Sequence, residues 1–257
     1  MGMFRDRLVE HSPSFPLIIA HRGASFLAPE NTIAAFDLAA EQGAKAFELD
    51  IQRTQDNFLA VFHDISLMRT TRTRGRITQK TKQEIQQLDA GYWKSEKFKN
   101  ERIPFLGDVL SRYTPTYYIN IELKEESVSL ENDALEQQVI ETIHRYRCEE
   151  QVLISSFSYK AIQTIKRLNP RILTGLLYNR KLLGKEDVVR LVEKFQADFF
   201  HCSIREATEK RLKELNKAHI PVLVYTVNDA QIAHKLWKHG VSGFFTDVPD
   251  ILLRAFQ

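Results

Sequence analysis

Four short polar clusters hold the residues best suited to chemistry: His21-Arg22, Glu48-Leu49-Asp50, His63-Asp64 and Glu122-Leu123-Lys124. Each follows an apolar run. Side chains two apart on an extended strand share a face, so Glu48 joins Asp50 and Glu122 joins Lys124. Where such strand ends converge, three carboxylates repel one another unless a cation sits between them. An all-oxygen set suits one hard divalent ion, Mg²⁺ or Ca²⁺, and offers zinc no histidine and thiolate ligands. His21 and His63 beside it suit acid and base work near neutral pH. Arg22, with its planar donor fork, and Lys124, as a point charge, suit a phosphate. Any one carboxylate alone also reads as a surface charge neutralised by Arg22 or Lys124. Three together at strand ends are costly without a ligand.

The elements that must position these groups are visible as strand-like runs at 17–21, 46–50, 117–123, 152–156, 172–177, 198–202, 221–226 and 242–246. Between them lie longer segments with apolar residues at helical spacing, such as Thr32–Gln42, Asp133–Tyr146, Lys185–Phe195, Glu206–Ala218 and Asp229–His239. Strand alternating with helix predicts parallel pairing, and eight such units predict a closed (β/α)8 TIM barrel with its site at the C-terminal strand ends. After Asp50, IQRTQDNFLAVFHD has strand character on both sides of a polar turn and no room for a helix. A hairpin with Asp56 and Asn57 at its tip satisfies it and places His63 opposite Asp50. Residues 65–102 are too long for an ordinary connection and read as a small subdomain inserted over the mouth of one domain spanning 1–257.

The composition is that of a globular chain: 43% hydrophobic and 27% charged over 257 residues. The net charge of +3 predicts no nucleic-acid partner. No apolar stretch approaches the ~20 residues of a transmembrane segment. Two cysteines, Cys148 and Cys202, and an N-terminus without an apolar leader core fit a cytoplasmic protein. Gly2 resembles a myristoylation start, but Asp6 stands where that motif needs Ser or Thr. The basic insert reads as a solvated face rather than a membrane-binding one, since no amphipathic stripe accompanies its charges. His144, His219, His234 and His239 fall on helices or helix ends and read as solvated or packing residues. His201 ends a strand and is a weaker site candidate.

HRGASFLAPENTIAAF, FELDIQRTQDNFLAVFHD, IELK, YTVND and FFTDVPD occur in that order between Ile18 and Asp250. Together they resemble the glycerophosphodiester phosphodiesterase family at every main motif. The resemblance implies metal-dependent hydrolysis of glycerophosphodiesters to glycerol 3-phosphate and an alcohol, a step of glycerol and lipid metabolism. It implies a cation on Glu48, Asp50 and Glu122, an acid and base pair in His21 and His63, and phosphate binding by Arg22 and Lys124. It also implies a first attack by the neighbouring glycerol hydroxyl, giving a cyclic phosphate that water opens. Glu30 and Asn31 match the family's first loop as site-supporting residues, although Asn31 or Thr32 equally reads as a helix cap. Tyr225 replaces the family's usual Trp and still offers an aromatic wall with a hydroxyl. Ser242 replaces a frequent Asp.

Rival readings remain distinct in chemistry. A related phosphodiesterase acting on lysophospholipids keeps the same site, and a catalytically silent phosphodiester-binding barrel keeps only the fold. A Schiff-base aldolase using Lys124 needs a desolvated amine, which Glu122 two residues away would keep charged. A toxin-type phospholipase D shares the layout but is a secreted class. The head group and the oligomeric state are not encoded in any motif.

Overall fold

The computed structural model describes residues 15–179 and 187–257. The start of the segment read as helix at Lys185, and the Gly2 and Asp6 motif, lie outside the described residues. Eight parallel strands close on one another: β1 (Leu17–His21), β2 (Ala46–Arg53), β4 (Tyr118–Leu123), β5 (Val152–Ser156), β6 (Leu173–Leu177), β7 (Phe199–Ser203), β8 (Val222–Tyr225) and β9 (Gly243–Thr246). Pairing of β1 with both β9 and β2 completes the ring, so the fold is the (β/α)8 barrel that the alternation predicts. The outer layer includes α1 (Ile33–Glu41), and the insert adds the single-turn helices α2 (Met68–Thr71) and α3 (Lys82–Ile85). The outer layer continues with α4 (Leu106–Tyr113), α5 (Ala134–Arg145), α6 (Tyr159–Leu168), α7 (Val188–Phe195), α8 (Glu209–Lys217), α9 (Ala230–Lys238) and α10 (Pro249–Ala255).

The barrel interior is plugged by apolar side chains that include Ile19, Leu153, Leu173, Phe199, Leu223 and Phe245, all nearly or fully buried. Such a plug is a packed core and not a pore, so chemistry is confined to the layer above it. Larger apolar clusters fill the space between strands and helices. His201 is buried in the interior, and its shielded ring also contributes to the lining of the cavity that holds the site residues. It is fully buried, its ring lies 5.2 Å from that of Phe245, and neither ring nitrogen has a hydrogen-bond partner. Room for it comes from Gly175, where a Cβ would lie 2.4 Å from the imidazole. Burial lowers its pKa to about 3, so the ring is neutral at physiological pH.

β2 is longer than its neighbours and rises past the rim. Ala46–Ile51 pair with β4, whereas Ile51–Arg53 pair antiparallel with β3 (Leu59–Val61). The expected hairpin is therefore present, but its register differs from expectation by one residue. Ile51 faces Val61, and the Phe62 N–H donates to the Asp50 carbonyl at 2.9 Å, so Phe62 and not His63 stands opposite Asp50. The cause is the turn. Three residues, Gln55, Asp56 and Asn57, form the loop, with Asn57 at φ 66° and the Thr54 N–H donating to the Phe58 carbonyl. Asn tolerates the left-handed region, which favours this loop over a two-residue one.

Residues 65–102 contribute Leu67, Ile77, Ile85 and Ala90 to a separate apolar cluster with Ala60, Phe62, Ile103 and Phe105. The segment is fastened at both sides of the mouth. Lys82 N–H donates to Asp56 at the hairpin tip, and Lys94 Nζ donates to the Ser25 carbonyl in the loop after β1 at 2.8 Å. Among the described residues no helix is long and apolar enough to cross a membrane.

Candidate active site

Strand register sets the site. His21 lies beside Glu48 on the β1 and β2 pair, and Asp50 lies beside Glu122 on the β2 and β4 pair. The four polar clusters therefore meet. Glu48, Asp50 and Glu122 each bring an oxygen to within 4.8 Å of the others. His21, Arg22, Glu48, His63, Glu122 and Lys124 line a cavity of about 160 Å³, and its lining also includes His201 and the apolar or aromatic Phe157, Leu177, Tyr225 and Phe245.

The loop after β1 is shaped for this. Arg22 and Asn31 adopt φ 57° and 58°, a region that costs a non-glycine residue roughly 1 kcal/mol or more. The return is close contact with the carboxylates. The Arg22 N–H donates to Glu48 Oε2 at 3.0 Å, and its guanidinium reaches Asp50 at 3.3 Å and Glu30 at 2.9 Å. Asn31 Nδ2 donates to Asp50 Oδ2 at 2.9 Å while its Oδ1 accepts the Asp50 N–H. Thr32, not Asn31, caps α1 by accepting the Ala35 N–H. Gly23, at φ +81°, admits the turn because a Cβ there would sit 2.5 Å from the Ala35 backbone.

Opposing charges divide the carboxylates. Burial raises the pKa of Glu48, and the charges of Asp50 and Glu122 raise it further. Burial acts the same way on Asp50, but Arg22 and Lys124 outweigh it and hold that carboxyl well below the usual range. Lys124 spans the pair, 3.4 Å from Asp50 and 2.9 Å from Glu122. Asp50 Oδ1 is nonetheless buried without a hydrogen bond. Three converging carboxylates against two cations, with one buried oxygen that has an ion pair but no hydrogen bond, fit a hard divalent ion.

Both histidines are tethered in the same way. His21 Nδ1 lies 2.7 Å from Asp247 Oδ1, and His63 Nδ1 lies 2.7 Å from Asp64 Oδ1. A carboxylate accepts only, so each Nδ1 carries a proton and Nε2 is the ring atom left to face the reacting groups. His21 Nε2 is 4.0 Å from Glu48 Oε2. Asp247 is further held by Ser25 Oγ and Asn228 Nδ2. The strand-end motif FFTDVPD contains it, but nothing in the sequence pairs it with a residue 226 positions away. Gln52, fully buried, was equally invisible. Its Nε2 donates to the carbonyls of Phe62, His63 and Asp64 and so fixes the segment that carries His63.

Glu30 bridges Arg22 and Arg69, and Arg69 in turn grips Asp64 through two nitrogens, at 2.6 and 2.9 Å. Tyr225 lies on the apolar wall, edge-on to Phe157, but its hydroxyl is engaged by the Tyr178 carbonyl at 3.3 Å, so it presents its ring. Ser242 sits at the opposite end of β9, where its Oγ accepts the Val222 N–H.

A sequence model of the glycerophosphoryl diester phosphodiesterase family matches residues 21–251. The chain belongs to that family. It is 36% identical over 242 residues to the glycerophosphodiester phosphodiesterase of Caldanaerobacter subterraneus subsp. tengcongensis, covering 94% of this chain and 98% of the relative. It is 30% identical to the glycerophosphodiester phosphodiesterase of Bacillus subtilis, covering 93% of this chain and 86% of the relative. An Oleispira antarctica phosphodiesterase solved in complex with the product sn-glycerol-3-phosphate superposes with a TM-score of 0.86 at 30% identity, covering 94% of this chain and 96% of that one. The chain is thus an enzyme of the glycerophosphodiester phosphodiesterase family on its barrel fold.

Proposed function

We propose that this enzyme hydrolyses glycerophosphodiesters to glycerol 3-phosphate and an alcohol with one divalent cation, Mg²⁺ or Ca²⁺, held by Glu48, Asp50 and Glu122. The observation that carries the reading is a single cavity lined by two carboxylate-tethered histidines together with Glu48, Glu122, Arg22 and Lys124, while buried Asp50 brings an oxygen to within 4.8 Å of both glutamates. When bound, the cation supplies Lewis acidity toward a phosphoryl oxygen. Arg22 and Lys124 grip the phosphate and balance charge developing on it. The Nε2 of one histidine takes a proton from the attacking glycerol hydroxyl, and the other, charged, gives one to the leaving alcohol; with these roles reversed, water then opens the cyclic phosphate to glycerol 3-phosphate. Asp247 and Asp64 hold each ring in the tautomer this needs. Glu30 and Asn31 keep Arg22 and Asp50 in place, and the rings of Tyr225 and Phe157 exclude water from one side. Residues 65–102 act as an inserted subdomain of one barrel domain. The buried, unpaired Cys148 and Cys202 suit a reducing compartment such as the cytoplasm.

The test is turnover of glycerophosphocholine, glycerophosphoethanolamine and glycerophosphoglycerol by wild type, His21→Ala and His63→Ala. Each variant is expected to lose about 10²–10⁴-fold in kcat with the fold retained. Chelation is expected to abolish turnover and Mg²⁺ or Ca²⁺ to restore it. Wild-type rates in either variant, or indifference to exhaustive chelation, would overturn the reading.

A further inference from the structure

The charge of this chain is unevenly placed. Residues 65–102 hold ten basic residues against four acidic ones, a net +6, whereas the whole chain carries +3 and the remainder is therefore −3. The tertiary structure sets apolar side chains of a second segment, the loop after β1, beside those of the insert. Of the ten exposed large apolar side chains among the described residues, five lie in the loop after β1 and in the insert: Phe26, Leu27, Ile65, Met68 and Tyr92. Those two segments are about a fifth of the described chain, so half of the exposed apolar residues are concentrated there.

The residues form one rim. Lys94 bonds the Ser25 carbonyl and so joins the Trp93 strip to Phe26, and Phe26 N–H donates to the Asp247 carbonyl at the mouth. Trp93 lies between Arg69 and Lys94, at 5.7 and 5.6 Å, and Arg72 stacks on Tyr92 at 4.6 Å. Arg72, Arg74 and Arg76 are all exposed. Aromatic and aliphatic side chains interleaved with Lys and Arg suit the boundary between lipid headgroups and acyl chains, where apolar insertion and attraction to anionic lipid act together. A merely solvated face needs neither Phe26, 64% exposed, nor Leu27, 49% exposed.

We propose that this rim docks the barrel mouth on the surface of a bilayer containing anionic phospholipid. The charge match commits the occupant: residues 65–102 sum to +6 against −3 for the rest of the sequence. Although Arg69 is matched by Glu30 and Asp64, the exposed Arg72, Arg74 and Arg76 orient this face toward a negative surface. The amphipathic surface is assembled from two segments, which is why the insert alone shows no apolar stripe.

The experiment is vesicle flotation of the whole protein with phosphatidylcholine vesicles carrying about 30 mol% phosphatidylglycerol, and with phosphatidylcholine alone. Flotation is expected with the anionic vesicles, not with the neutral ones, and is expected to weaken at ~0.5 M salt. Phe26→Ser with Leu27→Ser is expected to lower partitioning at least about tenfold, and Arg72→Glu with Arg74→Glu by a similar factor. Both pairs are to be checked for retained fold and for wild-type turnover of water-soluble glycerophosphocholine. No flotation, equal flotation with both vesicle types, self-association that accounts for the signal, or flotation unchanged in both variants would overturn the proposal. Flotation needs no turnover, so its failure is separable from failure of the hydrolytic reading.

Discussion

The two histidine arms end in the same contact but are built differently. His21 sits on β1 and takes its carboxylate, Asp247, from just past β9, so two adjacent barrel strands carry the pair. His63 lies beyond β3 and takes its carboxylate from the next residue. That arm is braced from outside the barrel. Gln52 holds its backbone, and Arg69 of the insert ties Asp64 to Glu30, which reaches back to Arg22. The lesson is that one tautomer can be fixed by a rigid scaffold or by a chain of charge-assisted bonds. The second route makes the insert part of the site's support.

The carboxylates follow the same division. For Asp247, burial opposes ionisation, but the His21 bond and charge outweigh it and hold the carboxyl at about 2, with Asn228 and Ser25 assisting. For Asp64, burial is again outweighed, first by the Arg69 bonds and then by His63, and the result is also about 2. One carboxylate depends mainly on its histidine, the other mainly on the insert.

The largest effects should be symmetric. His21→Ala and His63→Ala are expected to cost kcat about 10²–10⁴-fold each, and a variant retaining more than a tenth of wild-type kcat would show that the arms are not equivalent. Asp247→Asn and Asp64→Asn come next, at roughly 10–100-fold in kcat. The two should differ in side effects: only Asp64→Asn should also speed limited proteolysis within residues 65–102. Equal proteolysis of both would remove the distinction drawn between scaffold and brace.

His201 supplies a control histidine with no carboxylate. Its folded pKa of about 3 lies below the ordinary 6.5, so the unfolded chain binds the extra proton between those values. Its contribution is therefore fully present above pH 6.5 and is lost as pH falls toward 3. Unfolding at pH 5 should show about 2 kcal/mol less stability from this group than at pH 8, at 1.36 kcal/mol per unit. In His201→Gln that part of the pH dependence should vanish. A variant with the wild-type slope would mean the buried ring is not the source. Smallest is Arg69→Ala. The pair is partly exposed and screened, so the stability loss should be under about 1 kcal/mol, with kcat reduced only a few-fold. An unchanged kcat would sever the insert from the His63 arm.

The fold was legible because apolar runs rich in β-branched and aromatic residues recur eight times, alternating with segments of helical spacing. LIIAH and AFELD end on His21 and Asp50, and YYINIEL carries Glu122 as its penultimate residue, all groups that the site uses. Register within β2 and β4 then follows from the two-residue period, which is why Glu48, Asp50, Glu122 and Lys124 were recognisable as one set. Contacts between distant segments were not. The Asp247 tether depends on the ring closing β9 onto β1, and the Arg69 bridge depends on how the insert folds back. The hairpin register turned on whether Asn57 enters the left-handed region, a choice of one residue that the sequence QDN leaves open. Tyr225 kept its place on the wall, but the Tyr178 carbonyl that takes its hydroxyl comes from β6's far end and has no local signature.

The account rests on a cation lying between the two arms. Calorimetric titration of Mg²⁺ and of Ca²⁺ into the metal-stripped protein tests this most directly, alongside Asp50→Asn, whose fold is checked by circular dichroism. One bound ion per chain in wild type, with affinity reduced at least about tenfold in the variant, is expected for a site that loses its most strongly ionised ligand. No binding in wild type, or binding that Asp50→Asn leaves unchanged, would contradict it.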